Sequence, residues 1–570
     1  MVYPTFAMLL VAAALCFGVG RRASARLLGL GAAAISLLAA LLVALSTPAA
    51  PDALPLVLLE LGAAKFSLSL GLAAGERAIA IALLGGGGAV LLALAGAITL
   101  TVRGFGSIFA WSLLSMAAAL LSLAAQPLSL AQPLAWAMVA ISGYSALRAS
   151  GATTSTAPPL GLTLGLLASG LLAGGLLATA QPLASGALPA LPATLCGLAA
   201  ALALAGSPPM AGARADANEA PAPLGALVYG LAAPATAFGW LLRALAVMPP
   251  LSQSWSMALG LLGAFGALAC GAGALGERRL RPILAWATAG QTSLVVAAAA
   301  LGGTLASVTG SGLLVGLMLT AAVGAGAVAT LERTTGSDDY TAGNALPPRM
   351  TGALWAVAVA GSVGLPPLWG FWPRLWLLTE AQRQPWLLAP LLAGAVLLTL
   401  AMLAPLARLW GFNATTTPPR ASWADVLPAS LAGLPLLILG VAPGLAWTPW
   451  LQYVPGAPAE SPVTSGVRLA AVGAGLTLVV LTALLGWAKP ARTLVQDSDE
   501  VPVRLAPDAL GAALRPVAWL ANPTPLLRAL WAGLQSMSKA LRFLMSFFEQ
   551  RYYLLGMLAT LIMIMLLMAQ

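Results

Sequence analysis

The stretch that decides the fold is Gly361-Ser-Val-Gly-Leu-Pro-Pro-Leu-Trp-Gly-Phe-Trp-Pro-Arg374, which lies in a long apolar run. Each proline removes a backbone N–H donor and clashes with the preceding turn, so Pro366 and Pro367 predict that a helix unwinds here. Gly364 and Gly370 allow the broken backbone to turn tightly. Breaks within a membrane are tolerated inside protein or beside water, and in transporters they mark the pathway. The stretch therefore predicts a broken transmembrane helix on an ion path, with a kink that only helps packing as the alternative.

The composition places this stretch in a membrane protein. Of 570 residues, 60% are hydrophobic and 8% are charged, whereas a soluble domain carries about 25% charged residues. This balance excludes a soluble enzyme, a disordered chain and a nucleic-acid-binding protein. It predicts an all-α, polytopic transmembrane helical bundle. The net charge of +10 is the excess of Lys and Arg that cytoplasmic loops of membrane proteins carry.

Apolar runs of about 20 residues predict about sixteen spans, of which about 14 form the core of the bundle. Residues 54–76 are less regular, and we interpret them as an outer-face hairpin or an interfacial helix. The predicted organisation is N-terminal transmembrane helices with the outer-face hairpin (1–75), a core with broken helices (76–450), an additional transmembrane helix (451–488), a cytoplasmic-side amphipathic lateral segment (489–551) and a C-terminal transmembrane helix (552–570).

Arginines in the connecting segments predict the orientation. They follow the first, ninth, eleventh and thirteenth spans, whereas the loops after the fourth, sixth and tenth spans have no Lys or Arg. By the positive-inside rule the odd-numbered loops are cytoplasmic and the N-terminus lies outside. We expect an integral protein of a bacterial-type inner membrane. The arginines concerned are Arg21, Arg22, Arg26, Arg278, Arg279, Arg281, Arg333, Arg349, Arg408 and Arg420.

The lateral segment differs from the rest of the chain. It is first charged and then amphipathic from Pro507 to Phe548, with Arg and Lys between Leu, Trp and Phe. A helix of this composition lies along the membrane surface, and Pro516, Pro523 and Pro525 are expected to divide it into pieces. It predicts an arm that packs against neighbouring subunits, with a loop between two spans as the alternative.

Three motifs carry a resemblance to a known family. The stretch 361–374 resembles the twelfth helix of the antiporter-like subunits of respiratory complex I, Mrp cation/proton antiporters and membrane-bound group 4 hydrogenases. Arg279-Leu-Arg-Pro-Ile-Leu-Ala-Trp-Ala-Thr-Ala-Gly-Gln291 resembles the run that opens the family's tenth helix, and Glu219-Ala-Pro-Ala-Pro-Leu-Gly-Ala-Leu227 resembles the run before its eighth. The resemblance covers roughly residues 75–450, and the arm makes the distal, arm-bearing subunit the most similar member.

The resemblance implies a non-catalytic membrane-arm subunit of a complex I-type respiratory complex, an NADH or ferredoxin:quinone oxidoreductase or a related ion-translocating assembly. Its partners would be other membrane-arm subunits and the lipid bilayer, without nucleic acid. The alternatives are a stand-alone or Mrp-type cation/proton antiporter subunit and a purely structural scaffold. We expect no cofactor, because a dinucleotide-binding glycine motif and clustered cysteines are both missing from the sequence, and neither a catalytic nor a metal site.

The proton path of the family is broken in this sequence. Family members carry protons along a Glu in helix 5, a Lys in helix 7, a Lys or His in helix 8, and a Lys or Glu in helix 12. Here the helix 5 position is Ala137, residues 201–207 are Ala, Leu, Gly and Ser, and helix 8 has Ala232-Ala-Pro234. Arg374 keeps a charge in helix 12 with Glu380 nearby, but arginine stays protonated and is a poor proton relay. We therefore predict a degenerate path and a largely structural or coupling role.

The remaining polar groups of the core could line a partial water path, namely Ser142, Tyr144, Thr236, Thr288, Gln291 and Thr320. The alternative is that they satisfy helix backbones or bond across helices. The residues predicted for an ion path or a helix break are Gly364, Pro366, Pro367, Gly370, Arg374, Glu380, Gln291 and Pro234.

Overall fold

The computed structural model separates the chain into two compact units, residues 1–522 and residues 523–570. It describes residues 2–20, 24–46, 55–61, 64–97, 105–129, 131–151, 160–180, 190–247, 252–301, 306–340, 349–382, 384–409, 423–447, 449–454, 458, 513–514, 516–518 and 524–568.

The first unit is a helical bundle with one small hairpin. Its first half contains α1 (Val2–Val19), α2 (Ala25–Leu45), β1 (Pro55–Leu61), β2 (Ala64–Ser69), α3 (Ala74–Ala97), α4 (Phe105–Ala124), α5 (Ala131–Ala149), α6 (Leu160–Ala180), α7 (Ala190–Ala205), a 3₁₀ turn (Ala211–Arg214), α8 (Ala215–Glu219), α9 (Ala222–Gly225), a π-helical segment (Ala226–Ala232) and α10 (Ala233–Val247). Its second half contains α11 (Gln253–Leu275), α12 (Leu280–Leu301), α13 (Ala306–Thr335), α14 (Arg349–Val363), α15 (Phe371–Ala381), α16 (Pro385–Leu403), α17 (Leu406–Leu409), α18 (Trp423–Val441), α19 (Gly444–Trp447) and a 3₁₀ turn (Leu451–Tyr453).

The prediction of an all-α polytopic bundle is confirmed. Among the described residues, nine helices are long and apolar enough to cross a membrane, and shorter apolar helices accompany them. Helix occupies each of the fourteen predicted core segments. The predicted span at 466–488 and the charged residues 489–512 lie outside the described residues.

The predicted hairpin at 54–76 forms as a pair of β-strands, so the interfacial-helix alternative is wrong. β1 and β2 are antiparallel, and Glu60 faces Lys65 in the register of the backbone. Helix begins again at Ala74.

α13 is the central helix of the bundle. It packs against α3, α10, α12, α14, α15 and α18, and every residue from Val308 to Leu331 is buried. A helix that is apolar on all sides must be buried on all sides or face lipid. By contrast, only 33–39% of the residues in the apolar windows of α1, α2 and α16 are buried, as expected at the periphery.

Two faces of the bundle can be told apart from side-chain contacts. One face holds Glu219, Arg279 and Asp338, with Arg279 Nε 3.0 Å from Asp338 Oδ1 and Arg279 Nη1 3.3 Å from Glu219 Oε1. The other holds Arg243 beside Glu76, 3.9 Å apart. We call these the odd-loop face and the even-loop face, because the predicted odd- and even-numbered loops meet there.

The second unit is one helix, α20 (Thr524–Met568), of 45 residues. At 1.5 Å per residue its length is about 68 Å. Pro516 and Pro523 precede it, and Pro525 stands in its first turn, where a proline costs no hydrogen bond. The helix passes without interruption through the boundary predicted at residues 551 and 552.

Candidate functional site

The first break in the bundle follows α7, and we define it as residues 206–214. Gly206 has a φ of +56°, which a glycine adopts without steric cost. The N–H of Ser207 donates to the carbonyl of Leu202 at 2.9 Å, and the N–H of Gly206 to that of Ala203 at 3.3 Å. These two bonds are the Schellman motif that ends a helix. They leave the last carbonyl of α7, that of Ala205, for another donor.

The other donor is Arg214, which lies nine residues after Ala205 and is 3% exposed. Its Nη2 donates to the Ala205 carbonyl at 2.9 Å, and its Nε donates to the Gly206 carbonyl at 2.8 Å. Nη1 donates to the Ala285 carbonyl at 3.1 Å and to the Thr288 hydroxyl. Four of the five N–H donors of a guanidinium are therefore engaged. A cation is favourable at this place because the carbonyl end of a helix is its negative end.

The surroundings of the first break are polar. The Ser207 hydroxyl donates to Thr292 Oγ1 at 2.7 Å. The ring of Tyr229 lies 5.7 Å from the Arg214 guanidinium carbon, and its hydroxyl donates to the Ala213 carbonyl at 2.8 Å. A cavity of about 30 Å³ adjoins Arg214 and also touches Arg281 near the odd-loop face. That volume is enough for a water molecule.

The second break joins α14 to α15, and we define it as residues 364–374. Gly364 has a φ of +76°, and the N–H of Leu365 donates to the Ala360 carbonyl at 2.7 Å. This is the longer bond of the same Schellman motif. The last carbonyl of α14, that of Val363, accepts from Arg374 Nη1. Both half-helices therefore end in one way, with a left-handed glycine and an arginine on the final carbonyl.

The surroundings of the second break are aromatic. Trp369 Nε1 donates to the Gly312 carbonyl of α13 at 3.0 Å, and Trp372 Nε1 donates to the Gly440 carbonyl of α18 at 2.7 Å. The backbone also docks on α18, since the N–H of Trp369 donates to the Leu436 carbonyl at 2.8 Å. These contacts hold the break inside protein, where an interruption at membrane depth is tolerated.

The two arginines lie toward opposite faces. Arg214 bonds Ala285 and Thr288, which lie one to two turns inside α12 from Leu280 at the odd-loop face, or about 8–12 Å deep. Arg374 follows a break that contacts Gly312 and Gly316. These glycines lie near the start of α13, on the side of the even-loop face. A buried cation, Arg214, therefore lies toward the odd-loop face, and a partly buried one, Arg374, lies toward the even-loop face.

Ion pairs join the connecting segments on the odd-loop face. Arg281 Nε lies 2.5 Å from Glu332 Oε1 and 3.8 Å from Asp338 Oδ2. Partial burial lowers the pKa of Arg279, but hydrogen bonding and the charges of Asp338 and Glu219 outweigh it and raise that pKa above its usual value. This network ties the ends of α8, α12 and α13 together.

The even-loop face contains a larger cavity of about 250 Å³, lined by Glu76, Arg243, Ser307 and Ser311 among small apolar residues. Arg243 donates to the carbonyls of Ser122 at 2.6 Å and Ala125 at 2.8 Å. The Arg243 guanidinium therefore binds carbonyls at the end of α4 and also lies beside the Glu76 carboxylate.

Five of the predicted site residues come together in the second break, namely Gly364, Pro366, Pro367, Gly370 and Arg374. Glu380 is 7% exposed, but it forms no ion pair with Arg374, because six residues of helix place the two on different sides of α15. Pro234 lies in α10 just after the π-helical segment. Gln291 is buried in α12, and its Nε2 finds no hydrogen-bond partner within the described part of the chain.

The hydroxyls proposed for a water path mostly bond their own helices. Ser142 donates to the Met138 carbonyl at 2.5 Å and Thr236 to the Ala232 carbonyl at 2.8 Å. Thr320 donates to the carbonyl four residues before it. These contacts favour the alternative of backbone satisfaction.

Sequence reasoning missed the first break and three charged residues, Arg214, Arg243 and Glu76. A signal for the break exists, because Gly206-Ser-Pro-Pro209 repeats the pattern of Gly364-Leu-Pro-Pro367. In each case an arginine follows within ten residues of the glycine. Glu76 and Arg243 have no such signal, since they meet through the packing of α3 against α10.

Comparison with known proteins agrees with this geometry. Residues 190–403 match the family model described as NADH:quinone oxidoreductase/Mrp antiporter, transmembrane. A curated relative is NADH-quinone oxidoreductase subunit N of Xanthomonas euvesicatoria pv. vesicatoria (strain 85-10), 29% identical over 243 residues, or 41% of this chain. The alignment spans about half of that relative, 49% of its length.

Solved structures share the fold. The Mrp complex from Dietzia sp. DQ12-45-1b matches with a TM-score of 0.65 at 21% identity, over 94% of this chain and 62% of that one. Respiratory complex I from Thermus thermophilus with bound NADH matches with a TM-score of 0.65 at 18% identity, over 80% of this chain and 98% of that one. An archaeal membrane-bound sulfane sulfur reductase matches with a TM-score of 0.66 at 16% identity, over 82% of this chain and 99% of that one. The resemblance to antiporter-like subunits is confirmed, and both breaks lie inside the matched region.

Proposed function

Since residues 190–403 carry a transmembrane domain of the NADH:quinone oxidoreductase/Mrp antiporter family, we propose that the chain is an antiporter-like membrane subunit of a multisubunit, ion-translocating respiratory complex. It has a degenerate proton path and a largely structural or coupling role. The observation that carries this proposal is that an arginine, bound to the last helix carbonyl, occupies each of the two breaks.

The chemistry of arginine supports the loss of proton transport. A relay group must bind and release a proton at accessible pH, and a buried lysine can do so because burial lowers its pKa. A guanidinium retains its proton in proteins. In addition, Arg214 is held by four hydrogen bonds, so its movement would leave several carbonyls of the break without donors.

The sequence around the breaks supports the same proposal. Residues 149–213, 244–276 and 282–331 contain no Lys, Asp, Glu or His. These ranges include α6, α7, α11 and most of α12 and α13. Titratable groups inside a membrane are energetically costly and are kept for function. A proton path without them lacks groups that can bind and release the proton.

The partners of the chain follow from the assemblies whose subunits share its fold. We propose membrane-arm subunits as neighbours, a bacterial-type inner membrane as the location and an N-terminus outside. An Mrp-type antiporter subunit is the second candidate, favoured by the match to the Mrp complex over 94% of this chain. In either case we propose that the chain itself holds no redox cofactor and catalyses no electron transfer.

The experiment is to purify the tagged full-length chain from its native membrane in mild detergent and to identify bound subunits by mass spectrometry. We expect several further membrane subunits in fixed ratio, and quinone-reductase or hydrogenase subunits would favour the respiratory candidate over an Mrp-type assembly. The variant Arg374→Ala is expected to reduce assembly more than the ion flux per assembled complex. Isolation of the chain as a lone monomer would contradict the proposal.

A further inference from the structure

The geometry points to a second role for the two break arginines. We propose that Arg214 and Arg374 form an electrostatic seal that keeps protons and other cations from crossing the subunit through its interrupted helices. This inference rests on the proposed function, since it explains how a scaffold with two broken helices remains impermeable to protons and other cations. It assigns the two side chains a barrier function in addition to their place in the fold.

In the part of the chain that the structure describes, both break arginines are bonded to neutral groups. Among the described residues, no carboxylate lies within ion-pair distance of either guanidinium. Their partners are backbone carbonyls and a hydroxyl. The end of a helix supplies only about half an elementary negative charge. A net positive charge therefore remains at each break.

The two positive charges lie toward opposite faces of the bundle. Arg214 lies on the odd-loop side of the bundle and Arg374 on the even-loop side, so a cation following the breaks from either face meets an arginine. Charges interact more strongly in a medium of low dielectric than in water. A positive group fixed at a narrow point of a pore is one way in which membrane channels exclude protons and cations.

Both arginine side chains pack against the glycines of their breaks. A cavity of about 30 Å³ is lined by Arg214, Arg281 and Thr288. Gly206 lies against the stem of Arg214, because a Cβ added to it would be 2.9 Å from Arg214 Cγ. Likewise, a Cβ added to Gly364 would lie 3.1 Å from Arg374 Nε. Each arginine thus occupies the space beside the left-handed glycine of its break.

The test measures how fast an imposed pH gradient decays in vesicles containing the purified full-length protein with its bound subunits. The variants are Arg214→Gln, Arg374→Gln and the double variant. Arg148→Gln is the matched control, since it removes the same charge from the exposed end of α5. We expect the pH gradient to decay slowly in vesicles that contain the wild type or the control variant. Proton leak should increase with each variant and rise by at least about tenfold in the double variant.

A second pair, Arg214→Lys and Arg374→Lys, keeps the charge at neutral pH but can lose a proton when buried. We expect vesicles with these variants to be tight near pH 6 and leaky near pH 9, and this pair remains informative if a Gln variant fails to fold. Size-exclusion profiles establish which variants are folded. Folded Gln variants as tight as the wild type, or Lys variants tight at both pH values, would overturn the seal. A wild type that itself conducts protons would instead contradict the proposed function.

Discussion

The two breaks end their first half-helices in the same way but rest in different surroundings. Gly206 and Gly364 both have positive φ, and Arg214 and Arg374 donate to the final carbonyls of α7 and α14. Around the first break are hydroxyls and a small cavity, whereas around the second are tryptophans that bind α13 and α18. The arginine cap therefore does not depend on its neighbours, and what differs is how each break is anchored.

This difference indicates where each break is vulnerable. The second break is fixed by backbone and indole contacts to two other helices, so steric changes there should be costly. The first break is fixed mainly by the hydrogen bonds of Arg214, so the loss of a single polar group should lower the stability of the protein more there than at the second break. Paired substitutions separate these two kinds of anchoring.

The largest effect is expected for Gly440→Ala in α18. The new methyl group would overlap the Pro367 carbonyl oxygen and lie 2.5 Å from the Leu368 carbonyl carbon. Since these are backbone atoms, they cannot rotate away, and we expect a loss of about 3 kcal/mol or more in stability. The midpoint of thermal unfolding in detergent measures it.

Gly433→Ala in the same helix is the control for this substitution. Its methyl group would meet Val323 Cγ2 at 3.6 Å and Val357 Cγ1 at 3.8 Å, which are ordinary contacts. We expect little change or a small gain. Equal melting points for the two variants would contradict the docking of the second break on α18.

Gly364→Ala and Gly206→Ala compare the two breaks directly. Both put a side chain into the left-handed region, which costs roughly 1–2 kcal/mol. The Cβ at Gly364 would also collide with Arg374 Cδ and lie 2.9 Å from the Gly370 carbonyl, whereas the Cβ at Gly206 meets the flexible stem of Arg214. The Gly364 variant should unfold at the lower temperature, and the reverse order would contradict the comparison.

Thr288→Val tests the polar anchoring of the first break. It removes the hydroxyl that accepts from Arg214, and a hydrogen bond to a charged group contributes about 1.5–3 kcal/mol. Thr236→Val is the control, because that buried hydroxyl donates to its own helix at Ala232. We expect a clearly larger drop in melting temperature for the Thr288 variant, and similar drops would count against Arg214 as the anchor.

The smallest effect is expected for Tyr229→Phe. It keeps the ring beside Arg214 and removes the hydrogen bond to the Ala213 carbonyl. The expected loss of stability is about 1 kcal/mol, measured in the same unfolding assay. A loss as large as that of the Gly364 variant would mean that the hydroxyl, and not the arginine, holds the first break together.

The sequence predicts the helical bundle and the second break well. Long apolar runs fix where the helices lie, and the Pro-Pro pair with Gly364 indicates where α14 ends. For residues 54–76 the sequence predicts a hairpin or an interfacial helix, because a short apolar run does not distinguish strand from helix. The role assigned to the site residues stays a prediction, as do the domain boundaries, the orientation and the similarity to the arm-bearing subunit.

The partners of the charged residues could not be predicted from the sequence. Arg214 binds the carbonyls of a turn eight residues earlier and the hydroxyl of Thr288 in another helix. Such contacts depend on how α7 and α12 pack. The expectation that Glu380 accompanies Arg374 used closeness in sequence, but six residues of helix separate their side chains around the helix axis.

The most direct test of the account is a cryo-electron microscopy map of the purified complex, at a resolution that shows ordered water inside this subunit. We predict that water enters from the odd-loop face as far as Arg214, whose guanidinium remains on the carbonyls of Ala205 and Gly206. Between Arg214 and Arg374 the interior should be dry. An unbroken line of water molecules past both arginines, linking one face to the other, would contradict the account.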